Sequence, residues 1–145
     1  MTPTLLGRIQ TRWVLVWTVG LLWLLVVGPW LPLAGPTTAT VWHTGLAALV
    51  LVSVVGTAWE LAYHAVQQLR WDKDWPTLLG LLLGLSEGVV VYRLLQLGLP
   101  WQVDAITPAP FAWQFGTIWV VIWAVANGPI RVLFPRWRFA GGRFW

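Results

Sequence analysis

Two glutamates, Glu60 and Glu87, lie well inside long apolar stretches of this sequence. His64 follows Glu60 at the spacing of about one helical turn. A charged side chain near the middle of a membrane is costly, so such residues commonly pair with one another or mark ion and proton pathways. The two glutamates are therefore the first candidates for chemistry in this chain.

Polar residues recur around Glu60 at steps of three and four, which places them on one face of a helix. These residues are Ser53, Thr57, Glu60, His64 and Gln67 or Gln68. On the next apolar stretch, a second shared face is formed by Gly80, Gly84, Glu87 and Gly88. Glycines spaced by four allow a neighbouring helix to approach closely. We therefore expect this glycine face to lie against the helix that carries Glu60.

The short connection between the two stretches sets the relative depth of the glutamates. Facing residues of a helical hairpin have numbers with a constant sum, and a turn centred between Lys73 and Asp74 makes Glu60 and Glu87 level. Asn127, on the last apolar stretch, is expected at a depth from which it reaches His64. The sequence thus predicts one polar cluster, whose members are Glu60, His64, Glu87, Asn127 and Thr57.

Asn127 also belongs to the motif Asn127-Gly128-Pro129, which predicts a kink. Proline cannot donate to the hydrogen-bond ladder of a helix, and the glycine before it is conformationally permissive. Carbonyl groups freed at the kink would favour a polar neighbour.

Three arrangements would satisfy two level carboxyl groups at low dielectric: a shared proton, an ion pair between a glutamate and His64, or a bound cation. Each is a basis for proton relay or ion coordination. The same contacts also suit a purely structural cluster that fixes helix register. No metal or cofactor is expected, because a single histidine is in reach and Glu-x-x-x-His differs from the spacing found in di-iron bundles.

The composition indicates an integral membrane protein. The chain has 145 residues, of which 58% are hydrophobic and 10% charged, whereas soluble domains carry about 25% charged residues. Cysteine is absent, which excludes disulfides and thiolate chemistry. The four apolar segments, each near the ~20 residues that span a membrane, cover approximately 13–33, 41–66, 76–99 and 111–134. We predict a single all-α domain over 1–145, an antiparallel four-helix transmembrane bundle with short loops.

The basic residues predict the orientation of this bundle. A four-pass arrangement places eight of the nine on one side: Arg8, Arg12, Arg70, Lys73, Arg131, Arg136, Arg138 and Arg143. The positive-inside rule then makes both termini cytoplasmic, as in a bacterial-type inner membrane. Tryptophans near the ends of the segments fit an interfacial aromatic belt. Arg93 is expected to reach outward and pair with Asp104 or a lipid phosphate, with an acid on another subunit as the alternative partner.

The tail over 135–145 alternates basic and aromatic residues. We expect it to contact anionic lipid headgroups at the cytoplasmic face or a protein partner, and not nucleic acid. The contacting residues would be Arg136, Trp137, Arg138 and Arg143.

The leading functional hypothesis is a non-enzymatic subunit or accessory and assembly factor of a larger membrane complex, with other membrane subunits or a second copy as its partner. Little of the chain lies outside the predicted membrane. The first alternative is a proton- or ion-conducting protein that uses Glu60, His64 and Glu87. The second is a membrane-surface enzyme or cofactor-binding protein that acts at Asp72 and Asp74 or at His64.

Overall fold

Four long helices make up most of the protein. The computed structural model describes residues 4–30, 38–69, 77–103 and 107–145. The helices are α1 (Leu5–Trp30), α2 (Thr38–Gln68), α3 (Thr77–Gln96) and α4 (Pro108–Asn127), followed by the short α5 (Pro129–Leu133) and α6 (Pro135–Phe139). The described part of the chain contains no strand. Four helical segments, with α4 and α5 counted as one, are long and apolar enough to cross a membrane.

The first helix begins at Leu5, eight residues before the predicted start at 13. Thr4 supplies the N-cap, since its Oγ1 accepts a hydrogen bond from the Gly7 amide at 3.2 Å. The apolar segment alone does not reveal this start, because Arg8, Gln10, Thr11 and Arg12 interrupt the apolar residues of the first two turns. As a consequence, Arg8 and Arg12 lie within α1 and not in a segment that precedes it.

The centre of the bundle is formed where α1 passes between α2 and α4. Leu15, Val16 and Leu24 of α1 are almost completely buried. Next to them, a Cβ added to Gly20 would lie 3.3 Å from side-chain atoms of both Leu49 and Ile122. Gly20 is the last residue of a stretch of π-helix over Val16–Gly20. The apolar middle of α1 is therefore held by two neighbouring helices at once.

The glycine face of α3 contacts α4. A Cβ at Gly84 would overlap the indole of Trp119, and one at Gly88 would lie 2.7 Å from Phe115 Cε1. The Trp119 indole also donates to the Leu81 carbonyl at 3.2 Å. We expected this face to lie against α2, but large rings spaced by four along α4 fill the space over the two glycines. A Cβ at Gly80 would have no neighbour within 4 Å.

Gly84→Ala is expected to lower the free energy of unfolding by about 1–3 kcal/mol, the usual cost of overpacking a filled interior. Gly80→Ala, one turn earlier on the same helix, is the matched control. Alanine favours helix over glycine by about 1 kcal/mol, and the control has no clash, so its stability should be unchanged or higher. Equilibrium unfolding of the purified protein in mixed detergent micelles measures both. Equal stabilities of the two variants would contradict the Gly84–Trp119 contact.

The fourth helix breaks where the sequence predicts a kink. It ends at Asn127, Gly128 departs from helical geometry (φ −111°, ψ −94°), and Pro129 begins α5. The Asn127 side-chain amide donates to the Trp123 carbonyl at 2.9 Å. Beyond the break, the tail returns to the start of α1, where the Gly142 carbonyl accepts a hydrogen bond from Thr11 Oγ1.

Candidate functional site

A guanidinium group between two carboxylates forms the centre of the site. Arg12 Nη1 donates to Glu87 Oε1 at 2.7 Å, and Arg12 Nη2 donates to Glu60 Oε1 at 2.9 Å. Arg8 Nε donates to the other oxygen of Glu60, Oε2, at 2.7 Å. We call Arg8, Arg12, Glu60 and Glu87 the ion-paired quartet. Its two positive and two negative charges neutralise one another.

The quartet connects three helices, because the arginines lie one turn apart on α1, Glu60 on α2 and Glu87 on α3. The Glu87 side chain is 1% exposed and that of Arg12 is 8% exposed. A buried charge is tolerated only when it is paired and hydrogen-bonded, and hydrogen bonds between charged groups are short and strong. Each glutamate is thus an anchor that holds α1 in place.

Gly56, one turn before Glu60 on α2, makes room for the central guanidinium. A Cβ at this position would overlap Arg12 Nη1 and lie 2.7 Å from Glu87 Oε1. The Arg12 guanidinium carbon also lies 5.6 Å from the centre of the Trp119 ring, at cation–π distance. The site therefore depends on a small residue on α2 as well as on its charges.

The structure places His64 and Thr57 outside the quartet. His64 Nε2 lies 3.4 Å from the side-chain amide of Gln68, on its own helix. Thr57 Oγ1 accepts a hydrogen bond from the Trp13 indole at 3.1 Å. Of the two, Thr57 links α2 to α1, whereas the described side-chain contact of His64 stays within α2.

Arg8 and Arg12 are the partners that the sequence interpretation missed, since both were counted as orientation signals. Three features point to them in retrospect. Thr4 can cap a helix that begins before the apolar run, the two arginines are spaced by four, and two buried acids require two bases.

A cavity of about 620 Å³ lies beside the quartet, within the usual size range of small-molecule sites. Its charged lining consists of Arg8, Arg12, Glu60, Glu87, Arg131 and Arg138. Asn127 also lines it, and its Oδ1 accepts a hydrogen bond from Arg131 Nη2 at 2.9 Å. The structure thus brings three of the five predicted cluster residues, Glu60, Glu87 and Asn127, to one cavity.

The tail forms part of the cavity wall by docking on the start of α1. The Trp137 indole donates to Thr11 Oγ1 at 2.7 Å, and Thr11 Oγ1 donates to the Gly142 carbonyl at 3.0 Å. The Thr4 amide donates to the Gly141 carbonyl at 2.9 Å. Gly141 and Gly142 have φ values of 65° and 86°, which favour glycine. The two ends of the described chain therefore meet at one end of the bundle.

The four tail residues predicted to contact lipid or a partner have different surroundings. Trp137 is packed on α1 and lines the cavity together with Arg138, which is also exposed, whereas Arg136 and Arg143 are exposed and do not line the cavity. Only the last two present their charge away from the cavity, so a lipid or partner contact of the tail stays a prediction.

Within residues 4–30, 38–69, 77–103 and 107–145, no group of three or more His, Asp or Glu side chains is arranged to hold a metal ion. Asp72 and Asp74, the predicted surface acids, lie outside the described residues, as do Arg70, Lys73 and Asp104. Comparison with models of protein families, with curated proteins and with solved structures gave no match. The fold and the site define a helical bundle that has four segments of membrane-spanning length and an internal ion-paired quartet.

Proposed function

We propose that the chain is a four-pass membrane protein, an antiparallel bundle with both termini on the cytoplasmic side. The contact between the tail and the start of α1 supports an even number of passes. Arg8 and Arg12 are neutralised inside the bundle, so the orientation rests on the other basic residues. Those of the tail, Arg136, Arg138 and Arg143, lie at the end that we assign to the cytoplasm.

Within this bundle we propose a non-catalytic role as a subunit or accessory protein of a membrane complex. The observation that carries the proposal is an outward-facing ridge on α3, defined by Leu78, Leu82, Leu85 and Val89. Each of these side chains is at least half exposed. These residues are spaced by four, three and four positions. Side chains with this spacing interdigitate with those of a partner helix in helix–helix packing.

Arg93 lies one turn beyond Val89, at the end of the α3 ridge, and is exposed. Its Nη1 donates to Gln96 Oε1 on the same helix at 3.4 Å, and no carboxylate among the described residues forms an ion pair with it. Charges within membrane segments commonly pair with one another. An acidic residue on a partner helix that packs against the α3 ridge would form an ion pair with Arg93.

The quartet favours this role over ion conduction. Both glutamates already bind arginine at 2.7–2.9 Å, so a mobile ion or proton would have to break charge-assisted contacts. The same ion pairs would hold α1, α2 and α3 in a fixed arrangement while the outer faces of the bundle bind another protein.

The absence of cysteine allows a site-specific test of the subunit proposal. We expect Leu85→Cys, on the α3 ridge, alkylated with a thiol-reactive benzophenone and irradiated in native membranes, to photo-cross-link to one reproducible polypeptide, which is either another protein or a second copy of this chain. Leu61→Cys is the matched control, since Leu61 is a similarly exposed leucine on α2. Adding Arg93→Gln to Leu85→Cys should lower the yield several-fold. A product that forms equally from both positions, or none from either, would contradict the subunit proposal.

A further inference from the structure

The charges that line the cavity do not balance. Glu60 and Glu87 are both used by Arg8 and Arg12, which leaves Arg131 and Arg138 without a carboxylate partner among the described residues. Arg131 donates to the Asn127 amide oxygen. The guanidinium carbon of Arg138 lies 5.5 Å from the centre of the neighbouring Phe139 ring. The described cavity lining therefore carries a surplus of two positive charges.

Apolar side chains form much of the remaining wall, among them Leu83, Trp119, Ile122 and Trp123. A ligand that fits this lining has an anionic group, which pairs with the arginines, and an apolar part, which packs on the leucine, isoleucine and tryptophan side chains. The two surplus arginines belong to α5 and α6, are exposed as well as lining the cavity, and lie at the end of the bundle that we place near the cytoplasmic headgroups. Guanidinium groups are well suited to phosphate, because their planar donors match its oxygens in pairs.

We propose that this cavity is a binding site for a phosphate-bearing amphiphile, with Arg131 and Arg138 as the residues that contact the phosphate. Two sources share this chemistry: an anionic phospholipid of the inner leaflet and a soluble phosphate ester. The choice of the inner leaflet rests on the orientation proposed above. The site itself is separate from the outward-facing ridge of α3, so its tests do not depend on the subunit proposal.

Native mass spectrometry of the purified full chain, titrated with phosphatidylglycerol or phosphatidylcholine, tests the charge requirement. We expect preferential retention of phosphatidylglycerol, and Arg131→Gln with Arg138→Gln should weaken that retention at least tenfold. The matched control is Arg136→Gln with Arg143→Gln, which removes two exposed tail charges that do not line the cavity. The control should change the apparent Kd less than twofold. Equal losses in the two double variants would mean unspecific attraction to a basic surface and would overturn the proposal.

A second pair of variants tests whether the ligand enters the cavity. Gly80 lines the cavity and a Cβ there meets no atom within 4 Å, so Gly80→Trp starts a large side chain from open space beside the cavity. It should reduce phosphatidylglycerol retention while all arginines remain. Gly116→Trp is the control, because Gly116 has equally open space and does not line the cavity. Unchanged retention in Gly80→Trp would overturn the proposal, whatever the arginine variants show.

Competition assigns the source of the phosphate. If glycerol 3-phosphate displaces bound phosphatidylglycerol, the cavity accepts soluble phosphate esters as well as lipid. If the lipid stays bound and the arginine and glycine variants behave as expected, the ligand is the phospholipid itself. Both results support a phosphate site, and absence of any preference for phosphatidylglycerol over phosphatidylcholine, with no binding of glycerol 3-phosphate, would contradict it.

Discussion

Arg12→Gln is expected to destabilise the bundle by about 3–5 kcal/mol, the usual result of removing one partner from a buried ion pair. The variant leaves Glu87, which is 1% exposed, without the cation at 2.7 Å that neutralises it. It also removes one of the two arginines that bind Glu60. The free energy of unfolding, measured by equilibrium titration with SDS in lipid–detergent micelles, gives the size of the loss.

Two further arginine variants serve as controls for Arg12→Gln. Arg93→Gln removes an exposed charge and should change stability by no more than about 0.5 kcal/mol in the isolated protein. Arg8→Gln should give an intermediate loss, because the Arg8 side chain is 17% exposed and Glu60 keeps Arg12 as a partner. If Arg12→Gln and Arg93→Gln behaved alike, Arg12 would not be a buried partner of Glu87.

Gly56→Ala is expected to cost about 3 kcal/mol, at the upper end of the range for overpacking. The added methyl group would occupy the position of the Arg12 guanidinium and press on the Glu87 carboxylate. The quartet would have to rearrange, although every charged residue is still present. The same unfolding titration measures this loss.

Gly116→Ala is the control for Gly56→Ala, since a Cβ at Gly116 meets no atom within 4 Å. This change should be neutral or stabilising, because alanine is the better helix former. A Gly56→Ala variant as stable as Gly116→Ala would show that the guanidinium does not lie against α2.

Much of the helical framework could be predicted from the sequence because apolar segment length is a strong signal. The counting argument for a helical hairpin also placed Glu60 and Glu87 at one depth. In the structure the two carboxylates bind the same guanidinium group. Shared depth on neighbouring helices was therefore sufficient to predict that these two residues lie near each other.

The partners of the glutamates could not be predicted in the same way. Arginines before an apolar run can stay at the headgroups or enter the helix, and hydropathy does not distinguish the two cases. His64 shares a helical face with Glu60 in the sequence, yet its described contact is Gln68. The glycine face of α3 was recognised, but the choice of neighbour was decided by the rings of Phe115 and Trp119, which fit over it.

Internal neutralisation changes what the two glutamates imply for function. As isolated charges in a membrane they would suggest ion or proton transfer. Paired with Arg8 and Arg12, they form a clasp between three helices. Other arginines form no ion pair with a carboxylate among the described residues, among them Arg93 on the outer face and Arg131 and Arg138 at the cavity. These arginines are the better candidates for binding a partner or ligand.

A double-mutant cycle between Arg12 and Glu87 tests the ion-paired quartet most directly. The stabilities of wild type, Arg12→Gln, Glu87→Gln and the double variant are measured under one set of conditions in lipid–detergent micelles. Residues in contact give interaction energies of about 0.5–3 kcal/mol, whereas distant residues add within about 0.5 kcal/mol. We predict a coupling of at least about 1 kcal/mol, with the double variant more stable than the sum of the single losses implies. Additive losses would contradict the contact between α1 and α3.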